Sequence, residues 1–173
     1  MLRTVFAGAF ASLLLAGAAQ AQTPDPAVYH TLTTQWRGPD QCLDIKNDKV
    51  DKTPWLATCG RFSGQYWSIQ PAGGGYVRLT TLWRGPEQCL DIHNDGKNNN
   101  RPQLAKCGNF SGQHWKITRL PNGFDRLTTQ WRGEDMCLDV INNKTDRELQ
   151  LAKCGNFSGQ HWRITATRRP VKK

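Results

Sequence analysis

Leu104-Ala105-Lys106-Cys107-Gly108-Asn109-Phe110-Ser111-Gly112-Gln113-His114-Trp115 returns without a change at residues 151–162. A looser copy, with Cys59 and the run Phe62-Ser63-Gly64-Gln65-Tyr66-Trp67, precedes both. Upstream of each copy stand Leu-Thr-Thr, one variable residue and Trp-Arg-Gly, which place a Trp at 36, 83 and 131. Cys-Leu-Asp then follows at Cys42, Cys89 and Cys137, so the period is 47 and then 48 residues. Repeats of this length are supersecondary units that bury their apolar faces against one another.

Each unit reads as four short strands. In the second these are residues 76–84, 89–92, 103–107 and 114–118, with Gly85-Pro86, Asp95-Gly96, Gly108 and Gly112 punctuating the gaps. Pro71 to Gly75 and Pro121 to Gly123 separate the units. A propeller blade has a similar period, but propellers typically close with about four or more blades. An open solenoid needs atypical polar capping repeats, and none is visible in this sequence. Three near-equal units closing on a pseudo-threefold axis satisfy the pattern better. Six Cys allow 15 pairings. Internal symmetry selects one pair per unit: Cys42–Cys59, Cys89–Cys107 and Cys137–Cys154, spaced 17, 18 and 17. Metal ligation is the weaker reading, because no CxxC or paired His spacing accompanies these Cys and His93, His114 and His161 are not spaced like ligands.

The first 21 residues read as an export signal. Arg3 supplies the positive start, residues 5–19 an apolar run, and Ala19-Gln20-Ala21 a small-x-small cleavage site. The run is short for a transmembrane helix, which needs about 20 apolar residues. The Ala-rich signal is of bacterial type, so the expected localisation is secreted or periplasmic, an oxidising compartment that suits six Cys. Three formal glycosylation sequons, at Asn109, Asn143 and Asn156, are then expected to stay unmodified. Residues 22–28 are expected to be a linker, 29–166 one domain divided near 75 and 123, and 167–173 a loose basic tail. The formal charge of +9 on 173 residues suggests an acidic partner, yet four of the positive charges sit on Arg168, Arg169, Lys172 and Lys173. That tail could tether the protein to anionic envelope polymers. A mean hydropathy of −0.63 excludes a multi-span membrane protein.

Cys-Leu-Asp followed by Ile or Val, a second Cys 17 or 18 residues on, and Gln-x-Trp, three times over, resemble the ricin B-type lectins. The resemblance covers residues 29–165. It implies an all-β fold, a β-trefoil of three four-stranded repeats with pseudo-threefold symmetry. It also implies carbohydrate or glycoconjugate binding at up to three shallow sites, without catalysis and without a cofactor or metal. Asp44, Asp91 and Asp139, with Gln65, Gln113 and Gln160, match the family's sugar-contacting positions, and Gln103 and Gln150 match a further polar one. Two departures stand out. The family's stacking aromatic, two residues before the second Cys, is replaced by Ala57, Ala105 and Ala152, and its Asn before Gln-x-Trp by Gly64, Gly112 and Gly159.

Strand alternation gives an independent view of the site, since successive side chains face opposite ways. Leu90 and Ile92 belong to the core face, and Asp91, Gln103 and Ala105 share the other. In the first repeat, Trp55 replaces Gln103, on the face of Asp44. The expectation is that this ring serves as a displaced sugar platform beside Asp44. Alternation places Trp36, Trp83 and Trp131 with the inward Leu residues, and the Trp of each Gln-x-Trp is expected to be structural. Arg37, Arg84 and Arg132 read as strand-end charges rather than an anion-binding ring. No Ser/His/Asp set or acid pair is identifiable, so no enzyme is expected. The alternative to a lectin is a non-catalytic protein-interaction trefoil, such as a toxin accessory subunit or inhibitor-like scaffold, which the Ala and Gly replacements favour. Nucleic-acid binding by the basic and aromatic surface is disfavoured by export.

Overall fold

Alternation of buried and half-buried residues, strict in Val77, Leu79 and Thr81 against Tyr76, Arg78 and Thr80, makes the Leu-Thr-Thr segment a strand with one face in a core. A computed structural model describes residues 23–172. The expected signal and cleavage site lie outside these residues. The first repeat contains β1 (Val28–Thr34), β2 (Gly38–Ile45), β3 (Pro54–Thr58) and β4 (Trp67–Gly73). The second contains β5 (Tyr76–Thr81), β6 (Gly85–Ile92), β7 (Pro102–Lys106) and β8 (Trp115–Arg119). The third contains β9 (Asp125–Thr129), β10 (Gly133–Val140), β11 (Leu149–Lys153) and β12 (Trp162–Pro170). A short 3-10 turn precedes the last strand of each repeat, at Ser63–Gln65, Ser111–Gln113 and Ser158–Gln160.

Pairing is antiparallel throughout and closes on itself. β1 bonds β4 and β12, β4 bonds β5, β5 bonds β8, β8 bonds β9, and β9 bonds β12. This six-stranded barrel has no free edge. The other six strands form the hairpins β2–β3, β6–β7 and β10–β11. Each hairpin locks onto the next repeat through one backbone bond: Leu104 N to Lys52 O at 2.8 Å, Leu151 N to Asn100 O at 2.7 Å, and Leu56 N to Arg147 O at 2.8 Å. The three hairpins therefore meet around the pseudo-threefold axis. This is a β-trefoil, as the repeats imply.

The core is threefold as well. Leu32, Leu79 and Leu127 from the barrel meet Leu43, Leu90 and Leu138 from the hairpins, together with Trp67, Trp115 and Trp162, all fully buried. The Trp indoles also reach the hairpins. Their Nε1 groups donate to Leu43 O, Leu90 O and Leu138 O at 2.9, 2.8 and 2.8 Å.

The three disulfides pair as symmetry indicates, with Cα–Cα separations of 5.0, 5.0 and 5.1 Å. Each ties the second strand of its repeat to the residue just past the third. Replacing Cys89 and Cys107 together by Ser is expected to lower the unfolding free energy by about 3 kcal/mol, from the freed loop of the unfolded chain. Urea unfolding of the oxidised protein checks this.

Two expectations need correction. The basic tail does not start at 167: β12 continues to Pro170, pairs with β1 as far as Val28, and Val171 N donates to Ala27 O at 2.8 Å. Arg168 and Arg169 are strand residues, and the Arg169 guanidinium lies 4.8 Å from the Tyr66 ring centre. The first strand of each repeat also ends before its Trp. At Thr34, Thr81 and Thr129 the hydroxyl accepts from the backbone N–H of Arg37, Arg84 and Arg132 at 3.1, 3.1 and 3.2 Å. The chain then turns at Gly38, Gly85 and Gly133, whose φ of +72°, +73° and +76° favour Gly. Alternation stops at that turn, so Trp36, Trp83 and Trp131 are half-buried, packed against the rim of the core rather than inside it.

Candidate functional site

The Cys-Leu-Asp strand fixes one carboxylate per repeat. Across the hairpin Asp44 is paired with Trp55, Asp91 with Gln103 and Asp139 with Gln150. In the second repeat, Asp91 Oδ1 accepts from Ile92 N at 2.7 Å and Oδ2 from Gln113 Nε2 at 2.9 Å. Gln113 Nε2 donates as well to Lys106 O at 3.0 Å, and its Oε1 accepts from Gly108 N at 2.9 Å. The same bonds recur around Gln65 with Asp44, Thr58 and Gly60, and around Gln160 with Asp139, Lys153 and Gly155. All three Gln side chains are at 0% exposure. They lie behind the carboxylates and orient them, rather than facing solvent.

This packing accounts for the Gly that replaces the family's Asn. A Cβ on Gly64, Gly112 or Gly159 would collide with Oδ1 of Asp44, Asp91 or Asp139 respectively. The absent side chain lets the carboxylate lie flat on the 3-10 turn. Burial pushes the Asp44 and Asp139 carboxyls above the ordinary range, partly offset by the bonds from Gln65 and Ile45, and from Gln160 and Val140.

A pocket opens beside each of two carboxylates. One of about 630 Å³ is lined by Asp91, Asn94, Gln103, Asn109, Phe110 and Trp131. Another of about 440 Å³ is lined by Asp139, Asn142, Gln150, Asn156, Phe157 and Trp36. The two sets correspond position for position. The Trp comes from the following repeat in each case, carried there because Trp131 N donates to Ser111 O, and Trp36 N to Ser158 O, both at 3.2 Å. Phe110 and Phe157 are 60% and 61% exposed, as is Phe62, at 61%, in the matching position of the first repeat. Each ring lies close against a glycine, so that a Cβ on Gly108 or Gly155 would strike it.

The first repeat departs from this arrangement. Trp55 and Arg61 stand where the others carry Gln and Asn, and Asp44 is only 9% exposed. Although Trp55 is the cross-strand partner of Asp44, its ring lines a cavity on the pseudo-threefold axis, and Asp44 is not part of that lining.

The recurrent Arg residues brace these Trp rings. Arg37, Arg84 and Arg132 lie 5.9, 5.7 and 5.3 Å from the centres of Trp36, Trp83 and Trp131. Arg37 also pairs with Asp146 at 3.5 Å and Arg84 with Asp51 at 3.8 Å. They do not converge on a shared anion.

Strand alternation says nothing of Phe110 and Phe157, and it points Trp36 and Trp131 inward rather than to a pocket. Phe62, Phe110 and Phe157 recur at one position of a Gly-Ser turn that belongs to no strand face, but that repetition does not place a ring beside a carboxylate. The Trp contribution was not legible, because it crosses a repeat boundary.

Three disulfide-tied hairpins on a closed six-stranded barrel, each carrying one hydrogen-bonded carboxylate, define a β-trefoil. The chain belongs to the ricin-type beta-trefoil lectin domain family, whose model matches residues 30–129 and again residues 75–172. Domains of this family have a carbohydrate-binding fold and are generally binding modules. No curated protein matches the chain at a significant level.

Among solved structures, it is similar to the designed threefold-symmetric protein ThreeFoil, at 21% identity and TM-score 0.68, covering 82% of this chain and 99% of that one. It is also similar to a GlcNAcα1-4Gal-releasing endo-β-galactosidase from Clostridium perfringens, at 14% identity and TM-score 0.66. That match covers 82% of this chain but only 33% of the galactosidase. A chain of the cytolethal distending toxin from Actinobacillus actinomycetemcomitans is similar at 16% identity and TM-score 0.63, covering 87% and 96%. These likenesses establish the fold. Among the described residues, no helix is long and apolar enough to cross a membrane.

Proposed function

We propose that this chain is an exported, non-catalytic carbohydrate-binding protein whose working sites are the pockets at Asp91 and Asp139. The observation that carries this reading is the pairing, in each pocket, of an oriented carboxylate with an exposed Phe ring. A sugar offers hydroxyl groups to the first and an apolar ring face to the second. Phe110 and Phe157 thus take the part of the aromatic absent at Ala105 and Ala152. Gln103 and Gln150, with the neighbouring Asn side chains, supply further donors and acceptors, while Gln113 and Gln160 act as positioning residues. Three disulfides accord with a secreted or periplasmic location.

A glycan array probed with the oxidised mature protein tests the proposal. Binding to neutral glycans that persists at raised salt is expected, because neither pocket depends on net charge. Replacing both Phe110 and Phe157 by Ala should weaken that binding by about tenfold or more, equivalent to about 1.4 kcal/mol. Both rings are exposed, so folding should survive the change. A silent array would sink the proposal and favour the second reading, a protein-interaction trefoil in the manner of a toxin accessory subunit. That reading draws support from the three Phe rings presented to solvent and from the whole-length likeness to the toxin chain.

A further inference from the structure

Where the three hairpins meet on the pseudo-threefold axis they line an open cavity of about 710 Å³, separate from the pockets at Asp91 and Asp139. Its backbone frame is symmetric, set by the three interlocking bonds to Lys52, Asn100 and Arg147 carbonyls. Its side chains are not. Lys46, Arg101, Lys144 and Arg147 bring positive charge from all three repeats, and Glu148 is the only carboxylate in the lining. Glu148 is paired with Arg101 at 3.7 Å, and Lys46 with Asp48 at 3.7 Å. Lys144 and Arg147 have no carboxylate within salt-bridge distance among the described residues. The Arg147 guanidinium lies 5.6 Å from the centre of the Trp55 ring, the one Trp that the repeat pattern does not require. The Trp55 Nε1 is buried and lacks an acceptor.

Two unmatched cations in a cavity that an indole also lines ask for a ligand that carries both an anionic group and a ring. Arg forks match carboxylate and sulfate groups in two-point contacts. Thr53, Asn98 and Thr145, also in the lining, offer hydroxyl and amide partners to a hydroxyl-rich molecule. The volume falls in the range of small-molecule sites, about 300–1,000 Å³. A bare inorganic anion would leave most of this space and the Trp55 face unfilled.

We propose that the axial cavity binds an acidic saccharide unit, with its anionic group on Arg147 and Lys144 and its ring against Trp55. This site is independent of the two outer pockets. It gives the first repeat, whose Asp44 is covered, a different role from the other two.

Calorimetric titration of the oxidised protein with digalacturonate, sialyllactose and a sulfated heparin disaccharide tests the proposal, with inorganic phosphate and AMP as comparison probes. At least one acidic sugar should bind about tenfold more tightly than its uncharged counterpart and more tightly than phosphate or AMP. Arg147→Gln and Lys144→Gln should each weaken it several-fold. Neither should disturb the fold, since Lys144 is exposed and the Arg147 contact to Leu56 uses its carbonyl. In an Asp91→Asn/Asp139→Asn background, the binding that Arg147→Gln weakens should persist, which separates it from any binding at the outer pockets. The proposal is overturned if none of the three acidic sugars binds, if Arg147→Gln binds as the parent does, or if phosphate or AMP binds most tightly.

Discussion

Trp115→Ala is expected to lower the unfolding free energy by about 3–5 kcal/mol, the range for deleting a large buried aromatic. The ring is at 0% exposure and lies where the barrel meets the second hairpin. Its loss opens a cavity among Leu residues that are themselves fixed by closed strand pairing, so the void cannot collapse easily. It also strands the Leu90 carbonyl, which accepts from the indole at 2.8 Å. Trp115→Phe separates the two effects: it keeps most of the apolar area but leaves that carbonyl unpaired, for about 1–3 kcal/mol. Trp67 and Trp162 occupy the same station, so their Ala variants should behave alike. Urea unfolding measures all of these, and a loss below about 1 kcal/mol for Trp115→Ala would contradict the junction role.

Asp91→Asn combined with Asp139→Asn is expected to remove neutral-glycan binding from the array. A hydrogen bond to a charged group contributes about 1.5–3 kcal/mol, so each site should lose on the order of 10- to 150-fold in affinity. Asn matches the shape of Asp, but both carboxylate oxygens already accept from N–H donors. One of those donors then faces an NH2 group, and a modest stability loss, about 1–3 kcal/mol per site, should accompany the change. If glycan binding survives in the double variant while unfolding shows this loss, the carboxylates are structural and the pocket assignment fails.

The pH dependence at Asp139 has a definite sign. Burial holds its carboxyl above the ordinary range, so on acidification it takes up a proton before an exposed carboxylate does. Affinity at the third-repeat pocket should therefore fall as pH drops through that raised value. Stability responds the opposite way for this group. The native state takes up the proton before the unfolded chain, so the contribution of Asp139 to stability rises as pH falls through the same window. Comparing glycan binding and urea midpoints across the acid range, for the parent and Asp139→Asn, checks both signs.

Much of this molecule was legible from residue order. Leu90 and Ile92 against Asp91 gave the hairpin faces, because alternation within one strand is a property of the backbone. Trp67, Trp115 and Trp162 were recognisable as structural. The same alternation puts Asp91 and Gln103 on one face, where they are cross-strand partners. The covered state of Gln65, Gln113 and Gln160 was not legible in the same way. It depends on a 3-10 turn folding back over its own hairpin, with a glycine flat against the carboxylate.

The limits have a common cause. Alternation ends where a strand ends, and Trp36, Trp83 and Trp131 lie beyond the turn that Thr34, Thr81 and Thr129 initiate. The period of two that would carry them inward does not extend past that turn. The basic C-terminal stretch resembles a loose tail by composition, yet Arg168 and Arg169 lie in a paired strand. Its pairing partner, β1, is at the other end of the chain, and closing the barrel requires those two segments to meet.

By itself, the sequence determined three repeats, their disulfide partners, their core Trp and the carboxylate of each hairpin, all of them contacts made within a repeat. The tertiary structure alone decided that Trp131 floors the Asp91 pocket, that Phe110 stands exposed beside it, and that Trp55 turns to the axis. Two of these depend on threefold closure, which brings together residues from different repeats whose spacing along the chain carries no trace of their contact. The third depends on how the ring of Phe110 rests on Gly108, a matter of packing rather than of order.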